Sequence, residues 1–109
     1  MNELQTITLS EKISQQPRGI CLMWSAFSDG QARDYDFCYT FISKEHITYF
    51  NNKGINCVLS TFNIFSNKYL YIHDQSIAGH SQNGANYTAT DSNIHVQNGA
   101  FVLRKVIGI

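Results

Sequence analysis

The C-terminal stretch from Asn93 to Ile109 constrains the fold of this chain most. Two apolar-rich runs flank the pair Asn98-Gly99. Asn-Gly is the preferred pair for a two-residue type I′ turn, because both turn positions need positive φ and these residues tolerate it. The pattern predicts a closing β-hairpin. In the run after the turn, Phe101, Leu103, Ile107 and Ile109 fall on one face, and Val102 and Val106 on the other. Apolar residues on both faces predict a central strand, covered by a core on one side and by another layer or subunit on the other.

The rest of the chain reads as strands built around this one. Gln5–Leu9 alternates, with Ile7 and Leu9 inward. Ser10–Ser14 has the pattern of one helical turn capped by Ser10. Ile20–Phe27 is apolar on both faces and predicts a second central strand, in which Trp24 packs into the core or an interface rather than stacking on a ligand. Asp29-Gly30 predicts a turn. From Asp34 to Ser43, Tyr35, Phe37, Tyr39 and Phe41 share one face, and Cys38, Thr40 and Ile42 the other. An aromatic stripe at this period is either a sugar-stacking platform or the core face of a strand, and core is the expectation, with Tyr35 near the rim. Lys44–Ile47 reads as a turn or short helical piece, and Thr48–Phe50 as a short strand. Ile55–Phe65 reads as one long strand, Ser66–Lys68 as a turn, and Tyr69–Ile72 and Ser76–His80 as a hairpin joined at His73-Asp74-Gln75. Ser81–Ser92 is the most polar stretch and reads as a long exposed loop.

These readings converge on a single all-β domain spanning residues 1–109. The expected architecture is an antiparallel, jelly-roll-like β-sandwich of about eight strands. Charged residues make up only 15% of the chain, below the ~25% of ordinary soluble domains, so Asn, Gln, Ser and Thr must carry the surface. Formal net charge is zero and no basic stripe occurs, which argues against nucleic acid and permits self-association. No apolar run approaches a membrane span, and the start has no secretory signal pattern. The abrupt opening, in what already reads as a strand, is expected of a C-terminal domain excised from a longer protein with an added start Met.

Chemistry-bearing patterns are sparse. Cys21, Cys38 and Cys57 each lie in an apolar run without C-x-x-C spacing, so buried free thiols are expected and a structural zinc site is not. His73, Asp74 and His80 flank one hairpin, but no third convergent ligand is evident. Asp34 and Asp36 share a strand face and read as solvated loop-edge residues rather than a hydrolytic pair. No nucleophile elbow or Cys–base pairing appears. The sequence thus predicts no catalytic residues, no metal and no cofactor.

Three stretches carry a resemblance to a known family. They are Leu9–Ser25 (LSEKISQQPRGICLMWS), Lys68–His80 (KYLYIHDQSIAGH) and Ala100–Ile109 (AFVLRKVIGI). In this order they resemble the C-terminal domain of tail-fibre, baseplate and minor structural proteins from phages and prophages of Gram-positive bacteria. The resemblance implies a non-enzymatic component of the virion tail, made in the bacterial cytoplasm. The partners it implies are other tail proteins, further copies of the chain (a trimer fits), and host cell-wall saccharide. The alternative is a purely structural cap that folds or trimerises a fibre end.

If a ligand is bound, the polar loops are where contact is expected. The candidates are Asp29, Arg33 and Asp34, the turn residues His73 and Asp74, and Tyr87 in the Ser81–Ser92 stretch. Neutral sugar hydroxyls need donors and acceptors rather than ions, and this composition supplies them.

Overall fold

The computed structural model describes residues 5–62, 64–88 and 95–109. The strands are β1 (Thr6–Thr8), β2 (Gly19–Ser28), β3 (Gln31–Ala32), β4 (Cys38–Ser43), β5 (Gly54–Ser60), β6 (Phe65–Ile72), β7 (Ser76–Ala78), β8 (Asn86–Thr88), β9 (His95–Gln97) and β10 (Phe101–Gly108). One short helix, α1 (Glu45–Phe50), joins β4 to β5. The chain is therefore an all-β sandwich of two sheets, with several strands only two or three residues long.

The smaller sheet is built on β2. Strand β10 pairs along one edge of β2, and β4 and β3 share the other. The β2–β3 connection is the two-residue turn Asp29-Gly30, with φ of 53° and 73° as a type I′ turn requires. Ile20, Leu22 and Trp24 point inward from β2, and Ile42 joins them from β4. Trp24 is fully buried, and its indole Nε1 donates to Thr40 Oγ1 at 3.1 Å. Gly19 has φ of +148°. A Cβ there would stand 2.1 Å from the Ile42 carbonyl oxygen, so this close approach to β4 requires glycine.

The larger sheet is built on β6. Strand β5 covers one edge of β6 from Phe65 to Tyr71. On the other edge, β7 pairs with Tyr71 and Ile72, and β9 runs parallel at Phe65. Strand β1 extends the sheet beyond β7, and β8 beyond β9. Cys57, Leu59, Leu70, Ile72 and Ile77 face the smaller sheet and close the core, with Leu9, Ile13 and Phe101 at its margins. Burying this set of apolar side chains is the main source of stability. Between β1 and β10 the sheets part, leaving a groove of about 610 Å³.

Several expectations are overturned. Asn98-Gly99 does not make a hairpin. Asn98–Ala100 is a 3₁₀ turn, and β9 pairs with β6 and β8 while β10 crosses to β2. The Asn98 side chain causes this: its Oδ1 accepts from Asn67 N and its Nδ2 donates to Gln82 O, both at 2.8 Å. Strand β10 lies at a sheet edge rather than centrally. A β-bulge between Leu103 and Lys105 switches its alternation, so Val106 partners Leu22 and Ile107 partners Cys21. Ile107 is consequently on the opposite face from that predicted.

Ser66–Lys68 is not a turn but the middle of β6; the chain reverses earlier, where Thr61 N donates to Ile64 O. Thr48–Phe50 belongs to α1 rather than to a strand. The 3₁₀ turn Ile13–Gln15 has no cap from Ser10; Asp74 serves it from across the molecule, accepting from Ser14 N and Ser14 Oγ. Ser81–Gly84 is a 3₁₀ turn and Asn86–Thr88 a strand, so the long polar loop is partly ordered structure. Its remainder, 89–92, lies outside the described residues.

Candidate functional site

In β4, Tyr39 and Phe41 face outward and are 62% and 56% exposed; Tyr35 and Phe37, in the segment before β4, are 53% and 44% exposed. The opposite face of β4, with Cys38, Thr40 and Ile42, turns toward the core. The expected core face is thus corrected to a surface face. The cause is register. Trp24, Leu22 and Ile20 are inward on β2, and their partners are Cys38, Thr40 and Ile42. Direct cross-strand partners share a face, so Tyr39 and Phe41 fall on the other side.

The outer face is built in rows across three strands. Ile107, Cys21 and Phe41 form one row. Lys105, Met23 and Tyr39 form the next. Cys21 and Met23 are half-buried, while Ile107 and Lys105 are exposed. In the third row Arg104, the bulge residue, reaches across β2. Its Nη1 donates to Ser25 Oγ and to Arg33 O, each at 3.0 Å, and pairs with Asp34 Oδ1 at 3.0 Å. Arg33 in turn donates to Ser28 Oγ and meets Asp29 Oδ2 at 3.5 Å. An apolar aromatic platform is therefore bounded at one end by a chain of charged, hydrogen-bonding groups. Rings offer flat apolar faces, and the border offers donors and acceptors.

The six loop residues expected to meet a ligand divide accordingly. Asp29, Arg33 and Asp34 come together at the end of the aromatic rows. His73 and Asp74 lie elsewhere and hold the fold: His73 Nδ1 bonds Asn52 Oδ1, and Asp74 holds the Ile13–Gln15 turn. Tyr87 is in β8, where its backbone partners Val96.

Two groups escaped the sequence reading. One is Arg104. Its signal was Arg104-Lys105, two charged residues in succession inside an apolar alternation, as a bulge produces. The other is an amide cluster on the outer face of the larger sheet, taken up below. Its signal was Asn67, Tyr69 and Tyr71 at period two, opposite Asn56.

The three cysteines are free thiols; Cys57 is buried, whereas Cys21 and Cys38 are only half-buried. Burial pushes the Cys57 thiol up to about 11. His46 Nε2 bonds Lys53 O, and His80 Nδ1 accepts from Gln82 N, so each of these rings has a local structural role. Among the described residues, no three His, Cys, Asp or Glu side chains converge as a metal site. No helix among them is long and apolar enough to cross a membrane.

No family model matches this chain, and neither a curated protein nor a solved structure is found to be similar to it.

Proposed function

We propose that this domain is a non-enzymatic module of a phage or prophage tail or baseplate, and that its outer aromatic face contacts host cell-wall saccharide. One observation carries the reading: Tyr39 and Phe41 point away from the core on a strand whose other face turns toward it. Exposed aromatic side chains grouped this way mark contact surfaces. A pyranose ring presents an apolar C–H face that packs on an aromatic ring, while its hydroxyls need neighbouring polar groups. The Arg104–Asp34 border supplies those. The three resembling stretches supply the tail assignment, and with it a place in the virion.

The test is retention of the domain on purified wall polysaccharide of a host strain. Tyr39→Ala and Phe41→Ala should each abolish retention while leaving the circular dichroism spectrum unchanged. Undiminished retention by both variants would remove the face from the account.

A second reading has its own support. The face is largely apolar, its formal charge on the three strands is limited to Lys105 and Arg104, and the chain as a whole is neutral. Such a surface also suits contact between copies at the end of a fibre, with no ligand. Sedimentation of the isolated domain separates the readings: a stable trimer dispersed by Phe41→Ser favours the structural cap.

A further inference from the structure

On the outer face of the larger sheet lies a cleft of about 370 Å³, remote in sequence pairing from the aromatic face and independent of the reading above. Its floor is made by Asn83 and Asn98, which are almost fully buried. Both are fixed by the edge of β6. Asn83 Oδ1 accepts from Tyr69 N and its Nδ2 donates to Tyr69 O. Asn98 Oδ1 accepts from Asn67 N. From behind, Lys68 Nζ donates to the carbonyl oxygens of both asparagines. These bonds hold the floor in place before any ligand arrives, so little ordering is left for binding to bring about.

Asn56 and Asn67 stand beside it. Asn67 Nδ2 donates to Asn56 Oδ1 at 3.3 Å. Asn67 Oδ1 is buried and has no hydrogen-bond partner among the described residues. An unanswered buried acceptor is unusual, and a turn of the Asn67 amide out of its 3.3 Å bond to Asn56 brings this oxygen to the cleft, where a ligand donor answers it. His80 and Tyr69 line the cleft as well. His80 Nδ1 accepts the Gln82 backbone N–H, which leaves the proton of the neutral ring on Nε2, as a donor. The Tyr69 ring lies over Gly54, where a Cβ would come within 2.3 Å of its hydroxyl oxygen. Glycine at 54 is what makes room for this ring position.

Among the described residues, no acidic side chain, lysine or arginine lines the cleft. An ion entering it would lose water without gaining a counter-charge. Amides, a phenol and an imidazole instead offer alternating donors and acceptors. The volume is at the small end of the ~300–1,000 Å³ typical of ligand clefts. We propose that this cleft binds one ring of a neutral, polyhydroxylated ligand, whose hydroxyl donates to Asn67 Oδ1 once the amide has turned toward it.

The test uses ¹⁵N-labelled protein titrated with methyl α-glucoside, methyl α-galactoside and myo-inositol, with sodium glucuronate as the charged probe. At least one neutral probe should shift the side-chain amide signals of Asn56, Asn67, Asn83 and Asn98 saturably. Asn67→Leu should weaken that binding roughly tenfold or more, since a buried hydrogen bond is lost. Asn56→Ala, at an exposed position, should weaken it with the fold intact. Tyr39→Ala should leave it unchanged, which separates this site from the aromatic face. The proposal is overturned if none of the neutral probes gives saturable shifts, if Asn67→Leu binds as the parent does, or if glucuronate binds more tightly than every neutral probe.

Discussion

Asn83 binds the backbone of Tyr69 with both ends of its side-chain amide, at 2.7 Å to the N–H and 2.9 Å to the carbonyl. It does so on the edge of β6, between the segment paired with β7 and the position paired with β9. Asn98 meets the same edge with one end only, its Oδ1 accepting from Asn67 N, while its Nδ2 donates to Gln82 O. Two side chains thus take up backbone groups on a stretch of this edge that no described strand pairs. They also carry the 3₁₀ turns Ser81–Gly84 and Asn98–Ala100 onto the sheet.

Replacing Asn83 with Ala should therefore cost more than an ordinary polar substitution. Both Tyr69 backbone groups would lose their partner, which costs roughly 2–4 kcal/mol in total. Urea denaturation of the Asn83→Ala protein measures it. A loss below half a kilocalorie would mean that water replaces the amide without cost.

Lys68 gives a pH dependence with a definite sign. Burial pushes its ammonium down from 10.5 to about 8. The unfolded chain then holds this proton more tightly than the fold does. Unfolding takes up a proton between those two values, so the Lys68 contribution makes stability rise with pH across that window. Below about 8 both states carry the charge, and the cost of burying it is felt in full. Cys57 acts in the opposite direction between 9.0 and about 11, because the fold holds its thiol proton more tightly. The difference between the parent and Lys68→Met isolates the lysine. That difference should shift in the parent's favour as pH rises from about 8, and a flat difference would contradict it.

The thiols should differ in reactivity. Cys57 is buried in the core and its thiolate is disfavoured. Cys21 and Cys38 are half-buried. Under native conditions at mildly alkaline pH, iodoacetamide followed by peptide mass mapping should find Cys21 and Cys38 modified before Cys57. Early modification of Cys57 would mean that the sheets open locally.

Much of this fold was legible from pattern, and the failures have specific physical causes. Ile20–Phe27 was readable because Ile20, Leu22 and Trp24 recur at period two inside an apolar run, and they are the buried set of β2. The Asp29-Gly30 and His73-Asp74-Gln75 reversals were readable because each joins neighbouring strands that do pair. Asn98-Gly99 misled because turn propensity is local, whereas the Asn98 amide answers to Asn67 and Gln82. Lys68 misled because a lysine rarely faces a core; here two backbone carbonyls receive it. The aromatic stripe misled because hydrophobicity does not distinguish the faces of β4. Trp24 could have: its buried indole needs an acceptor, and Thr40 supplies one only if Thr40 faces inward. The candidate sites were harder to see. Each depends on neighbours brought together across strands, such as Arg104 with Asp34 and Asn67 with Asn56.

The two faces of β4 provide the most direct check. Ile42 is buried and lies opposite Ile20, so Ile42→Ala should cost about 2–4 kcal/mol through lost burial and a residual cavity. Phe41, the next residue back along the strand, is exposed and neighbours Cys21 and Ile107 only across the surface. Phe41→Ser and Tyr39→Ser should each cost less than about 1 kcal/mol, the scale of a cross-strand surface pair. Chemical denaturation at low protein concentration gives the intrinsic values. Repeating it at high concentration tests for association, because stability drawn from contact between copies grows with concentration. A large cost for Phe41→Ser at every concentration would mean that the chain itself covers this face, and saccharide contact through Tyr39 and Phe41 would then have no surface to act on. A small cost at low concentration that grows at high concentration would assign the face to a second copy. A small cost throughout leaves Tyr39 and Phe41 free for a ligand, the outcome expected of a wall-binding module.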